Sequence, residues 1–188
     1  MPNEVHASCK GVFYLELVKI TSVNHQQPDL KFAHFLDKFP EIEPPVTLGE
    51  ETHHHFSRNN QPLSDQMIRE FIFPLEEDLD ELTEFVPCFK ILGTKNFYAV
   101  VYWRAGLMNY QYVLVTFTEK GLLIDKRVIA GTFSDGQVLT QSVANIDEDW
   151  IISIASGQSE GASTDYNATD STAYQLELLP DGKIVRST

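Results

Sequence analysis

The sequence predicts a mainly β (α+β) domain: a twisted antiparallel β-meander, curled or partly closed, with a few short N-terminal helices packed on it. Three observations predict this. From residue 85 onward, short β-branched and aromatic runs alternate with turn signals to the end of the chain. Before residue 85, apolar residues recur at helical spacing in short stretches punctuated by prolines. The hydrophobic fraction of 43% over 188 residues is enough to bury a core, so the chain is not disordered throughout. The change of character divides the chain into residues 1–84, helical and extended, and residues 85–188, the meander, expected to pack as one structural domain.

In the first part, the run Gly11–Ile20 is apolar enough for a strand or a buried helical turn, and its length leaves both open. Asp29 can cap a short helix in which Phe32, Phe35, Leu36 and Phe39 form one stripe, stopped by Pro40. The prolines at 44 and 45 hold residues 41–46 extended. Ser64 reads as the N-cap of a second helix with Met67, Ile68, Phe71 and Ile72 facing inward, ending near Pro74. The acidic run from Glu76 to Glu84 reads as a solvated face.

The meander is expected to run Phe85–Leu92, Phe97–Arg104, Tyr110–Thr118, Leu122–Ala130, Val138–Ile146, Trp150–Ala155, Ala173–Leu179 and Ile184–Arg186. Gly121 and the Pro180-Asp181-Gly182-Lys183 segment supply hairpin turns, so consecutive strands are antiparallel neighbours. Residues 156–171 are small and polar and read as a long exposed loop. No fixed-period repeat points to a propeller.

Composition bounds the partners. With 14 Lys+Arg against 27 Asp+Glu the net charge is −13, a field that repels phosphate backbones and anionic headgroups. Nucleic acid is therefore not an expected partner. No apolar run is long enough to span a membrane, and the first residues lack the basic and apolar regions of a secretory signal. His6-Ala7-Ser8-Cys9 has the end of a lipoprotein cleavage site without the apolar stretch before it. The expected compartment is the cytoplasm, where Cys9 and Cys88 are two free thiols.

Four candidate sites follow from residue types. His53-His54-His55, with Glu50 and Glu51 before it, offers nitrogen and oxygen ligands. In an extended segment His53 and His55 point the same way, so His53, His55 and Glu51 are a candidate Zn²⁺ set. Its competitor is a solvated loop. Tyr98, Tyr102, Tyr110 and Tyr112, with Arg104 close by, can form an aromatic platform on one face of two strands, suited to a protein or carbohydrate partner. Cross-strand pairs that only stabilise the sheet compete with that reading. Residues 165–170 (DYNATD) offer oxygen ligands but fail the EF-hand pattern, and Asn167-Ala168-Thr169 matches a glycosylation acceptor. Asp147, Glu148 and Asp149 sit in a turn where carboxylates are common. No nucleophile elbow, phosphate loop or dinucleotide fingerprint is present.

The helix end Phe39-Pro40-Glu41-Ile42, the proline-containing stretch after it, a helix near residue 65 and the segment from Tyr112 to Gly121 (YVLVTFTEKG) resemble a family of uncharacterised β-rich bacterial proteins. The resemblance covers residues 30–186. It implies the fold and no activity. The leading expectation is a non-enzymatic binding domain, in its sharper form for a basic protein partner. The alternative is a small metal-dependent hydrolase built on His53–His55.

Overall fold

The computed structural model describes residues 30–77, 79–80, 82–160 and 171–187. The expected elements at Gly11–Ile20 and residues 165–170, together with Asp29 and Cys9, lie outside them. The architecture is mainly β, as the meander pattern requires. Eight strands follow one another as antiparallel neighbours: β3 Glu84–Ile91, β4 Phe97–Gly106, β5 Asn109–Thr118, β6 Leu123–Ser134, β7 Val138–Ile146, β8 Ile151–Glu160, β9 Thr172–Leu178 and β10 Ile184–Arg186. Two short strands precede them. β1 (Glu41–Ile42) pairs parallel with β3, and β2 (Val46–Leu48) pairs antiparallel with β7. The sheet curls without closing. The β9–β10 turn folds back on β5 and β6, where Thr116 Oγ1 donates to the Gly182 carbonyl at 2.6 Å and Ile184 N donates to Asp125 Oδ2 at 2.9 Å.

Strand β8 corrects one expectation, because residues 156–160 continue its ladder against Val138–Ser142 of β7 rather than starting a loop. Polar residues suit that ladder, since one of its faces is solvated.

Both faces of β3–β5 are covered, which is why these strands read as near-continuous apolar runs. The concave face carries the larger core, with Phe89, Val101, Tyr112, Leu114, Ile129 and Ile154 among its buried members. The opposite face packs against the N-terminal helices. Helix α1 (Leu30–Leu36) buries Phe32, Phe35 and Leu36 on Val115 and Phe117, with Phe39 completing the stripe. Phe32 meets Phe117 edge-on at 5.4 Å. Each such ring contributes roughly 1.5–3 kcal/mol by leaving water. Gly121, at φ +78, makes room for α1: a Cβ there would sit 2.9 Å from the Phe32 ring.

Helix α3 (Asp65–Met67) starts where expected, with Met67 N donating to the Ser64 side chain at 3.3 Å. It widens into a π-helical turn at Ile68–Ile72 and tightens into a 3₁₀ turn at Phe73–Leu75. This delivers Glu76 to the sheet, which corrects the solvated-face reading at that residue. The Glu76 side chain is 1% exposed. It takes a hydrogen bond from the Tyr102 hydroxyl, a 2.6 Å ion pair from Arg104 Nη1 and a 3.3 Å ion pair from Lys126. Lys126 also donates to the Leu75 carbonyl. Desolvation, and then the adjacent Glu76 charge, push the Tyr102 phenol well above its ordinary pKa and keep it a donor.

Two irregularities in β6 shape the rest. The ladder between β5 and β6 skips Ile129, so Ile129 and Ala130 both face the concave core. Gly131 then adopts φ +142, and a Cβ there would lie 2.1 Å from the Tyr110 carbonyl oxygen. Past this point β6 stays beside β7 only over residues 139–142, and β2 takes over the same edge at residues 144–146.

Two substitutions test these supports. Gly131→Ala should cost about 3 kcal/mol in urea unfolding, because backbone must move to admit the methyl. Glu76→Gln should also cost about 3 kcal/mol, by leaving two largely buried cations without a counter-charge. A loss under 1 kcal/mol for either would place that support elsewhere.

Candidate functional site

Where β2 replaces β6 beside β7, the chain turns at Gly49 and enters helix α2 (Thr52–Asn59). Gly49 N donates to Thr52 Oγ1 at 3.0 Å, and the Tyr112 hydroxyl donates to the Gly49 carbonyl at 3.1 Å. The first residues of α2 are thus pinned over the concave face. Burial is the main cause raising the Tyr112 phenol pKa, so it stays a neutral donor. Phe56, the buried residue of α2, packs on Phe89 at 5.7 Å. Asn60 closes the helix onto the sheet by donating to the Pro87 and Cys88 carbonyls, each at 2.7 Å.

This arrangement corrects the extended reading of His53–His55. The three histidines are helical, and residues two apart on a helix point about 200° from each other. His53 lies flat on Trp103, with ring centroids 4.3 Å apart and planes 6° apart. His55 turns the other way, its Nδ1 3.3 Å from the Asn59 amide. Glu51 approaches His54, 3.6 Å away, rather than either expected partner. The expected Zn²⁺ set of His53, His55 and Glu51 is therefore not brought together. Among the described residues no group of three or more His, Cys, Asp or Glu side chains is gathered to hold a metal.

The tyrosine platform is also redistributed. Tyr102 pairs with Val113 and Trp103 with Tyr112, so even residues of β4 share a face with odd residues of β5. Tyr98, Tyr102 and Arg104 consequently lie on the helix-covered face. Tyr98 packs against Phe32, Tyr102 is fully buried, and Arg104 is held by Glu76 and Gln111. Tyr110 and Tyr112 lie on the concave side. The residue missing from the expected platform is Trp103, whose ring stacks with Tyr110 at 5.9 Å and 15°.

Two of the candidate features meet in one cavity of about 310 Å³, lined by Glu50, Glu51, His53, His54, Trp103, Tyr110, Tyr112, Gly131 and Thr132. Its wall is the ring series His53–Trp103–Tyr110. Its rim carries two carboxylates. Glu50 accepts from Gln141 Nε2 at 3.2 Å, and its carbonyl accepts from His53 Nδ1 at 2.5 Å, which fixes the imidazole against the indole. Glu51 is 85% exposed at its side chain and turned toward solvent.

Larger hollows lie elsewhere: one of about 590 Å³ is lined by Asp65, Arg69, Phe73 and Phe85, and one of about 690 Å³ on the far face of β7–β9 by small residues such as Ser153, Ala155 and Ala173. No Asp or Glu lines the 690 Å³ hollow, and its Tyr174 ring is covered by Arg186 at 5.1 Å. Asp147 serves its turn, accepting from Asp149 N and Ile151 N. Cys88 is fully buried, and desolvation pushes its thiol well above the ordinary pKa, as expected for a structural thiol.

Among the described residues no helix is long and apolar enough to cross a membrane. No protein-family model, curated protein or solved structure matches the chain.

With Cys9 changed to Ser, Cys88 should resist an aromatic disulfide reagent at pH 8 in the native protein and react at least ~100-fold faster in urea. Rapid native labelling would mean that α2 does not stay seated on the sheet.

Proposed function

We propose that this chain is a non-enzymatic binding domain that receives a cationic side chain of a basic protein partner in the cavity at the start of α2. The observation that carries the reading is that Glu50 and the solvent-exposed Glu51 rim one hollow whose wall includes the Trp103–Tyr110 ring stack. Aromatic faces attract cations through their quadrupole, by about 0.5–2 kcal/mol depending on desolvation. A guanidinium adds planar donors that match carboxylates in a fork. The cavity suits one long side chain rather than an extended ligand.

The charge of the whole chain supports the same partner. At −13 net, the protein attracts a basic surface before contact and speeds encounter. An inhibitor or immunity-type protein that neutralises a cationic protein uses this physics.

The test is calorimetric titration with a short arginine-rich peptide at low and physiological salt. Binding should weaken as ionic strength rises, and Glu50→Gln with Glu51→Gln should weaken it about tenfold. Tyr110→Ala should also weaken it. Affinity that ignores both glutamates would remove the cationic reading, and a neutral oligosaccharide binding in the peptide's place would reassign the ring wall to sugars.

A further inference from the structure

The geometry points to the β4–β5 hairpin tip as the apolar anchor of a larger docking surface, one that seats a basic segment of the partner carrying apolar side chains; this rests on the cationic-pocket reading above. The tip is a two-residue turn, Leu107–Met108, between the paired residues Gly106 and Asn109. Turns of this length favour Asn, Asp and Gly, because they demand backbone angles that ordinary side chains avoid. Here both positions are large and apolar, 77% and 48% exposed. Met108 holds φ +58, in the left-handed region where an L side chain is disfavoured. Since both side chains face water, burial within the fold does not repay that conformation. Strain and exposed apolar area together mark a contact surface.

Charge at the tip says what covers it. Asp80 Oδ2 accepts from Leu107 N at 3.2 Å, and Asp135 follows Ser134, whose N–H donates to the Met108 carbonyl at 3.0 Å. Backbone N–H donors hold both aspartates below the usual carboxylate pKa, so they stay charged. An apolar knob bonded by one carboxylate, Asp80, with the Asp135 turn beside it, fits a basic amphipathic segment and disfavours a second copy of this acidic chain. The surface is continuous with the pocket, because Tyr110, 46% exposed, lies two residues from Met108 and also lines the cavity.

The test compares two probes on three proteins. The probes are an amphipathic peptide of lysine and leucine, and an arginine peptide without apolar residues. The proteins are the wild type, Leu107→Asn/Met108→Gly and Glu50→Gln/Glu51→Gln. Glycine takes the positive φ of position 108 without strain, so the hairpin variant should keep or raise its melting temperature. It should lose about tenfold or more in affinity for the lysine–leucine peptide and none for the arginine peptide. The glutamate variant should weaken both. Unchanged lysine–leucine binding in the hairpin variant, with the glutamate variant still weakened, would overturn the anchor and leave the pocket standing. Arginine binding insensitive to the glutamates would overturn the pocket reading instead, and failure of both peptides to bind the wild type would overturn both. Self-association, or binding to zwitterionic vesicles, that is lost in the hairpin variant would reassign the knob to a second copy or to lipid.

Discussion

The turn at Leu107 and Met108 decides which side of the sheet every side chain of β4 and β5 takes. Because it contains two residues, Gly106 faces Asn109, and even positions of one strand share a face with odd positions of the other. Tyr102, Arg104 and Val113 go to the helix-covered side, and Trp103, Tyr112 and Leu114 go to the concave side. One residue more in the turn would exchange the faces of an entire strand. The Glu76 cluster and the ring stack both follow from this register, since each depends on a β4 residue presented to the correct side.

The two faces are then closed by different means. On the helix side, phenylalanines of α1 supply area and Glu76 supplies direction, because a carboxylate bonded by Tyr102, Arg104 and Lys126 can sit in only one place. A buried ion pair is weak evidence for net stability, but removing one member leaves the others uncompensated. On the concave side, α2 contributes one buried ring, Phe56, and the His53 imidazole stacked on Trp103 above it. Its shortness leaves the region between Trp103, Gly131 and the Gly49–Glu51 link uncovered, and the cavity occupies that space. The bare Cα of Gly131, forced by the close Tyr110 carbonyl, keeps one wall open.

Much of the fold is legible locally. The eight meander strands, the α1 stripe, the Ser64 cap and the turns at Gly121 and Gly182 follow from patterns a few residues long, where periodicity and backbone freedom act directly. The site is less legible, because its parts come from distant segments. Residue type groups the tyrosines, and only the length of a turn reveals that Tyr102 and Tyr112 part company; counting from Gly106 to Asn109 is the signal that places Trp103 beside Tyr110. The proline stretch before the histidines favours an extended chain, whereas Phe56 packing on Phe89 stabilises a helix over His53–His55. Glu76 sits in a run that looks solvated because its partners lie 26 to 50 residues away: Tyr102 and Arg104 on β4, Lys126 on β6.

Proton–proton distances around Trp103, measured by NMR on the intact chain, test this register most directly. Contacts are expected from the Trp103 indole to both His53 and Tyr110, with Tyr102 in contact with Phe85 and not with Tyr110 or Tyr112. Contacts between Tyr102 and Tyr110 or Tyr112, with Trp103 near the α1 phenylalanines, would mean the opposite register. They would dissolve the cavity, the buried Glu76 cluster and the binding surface together.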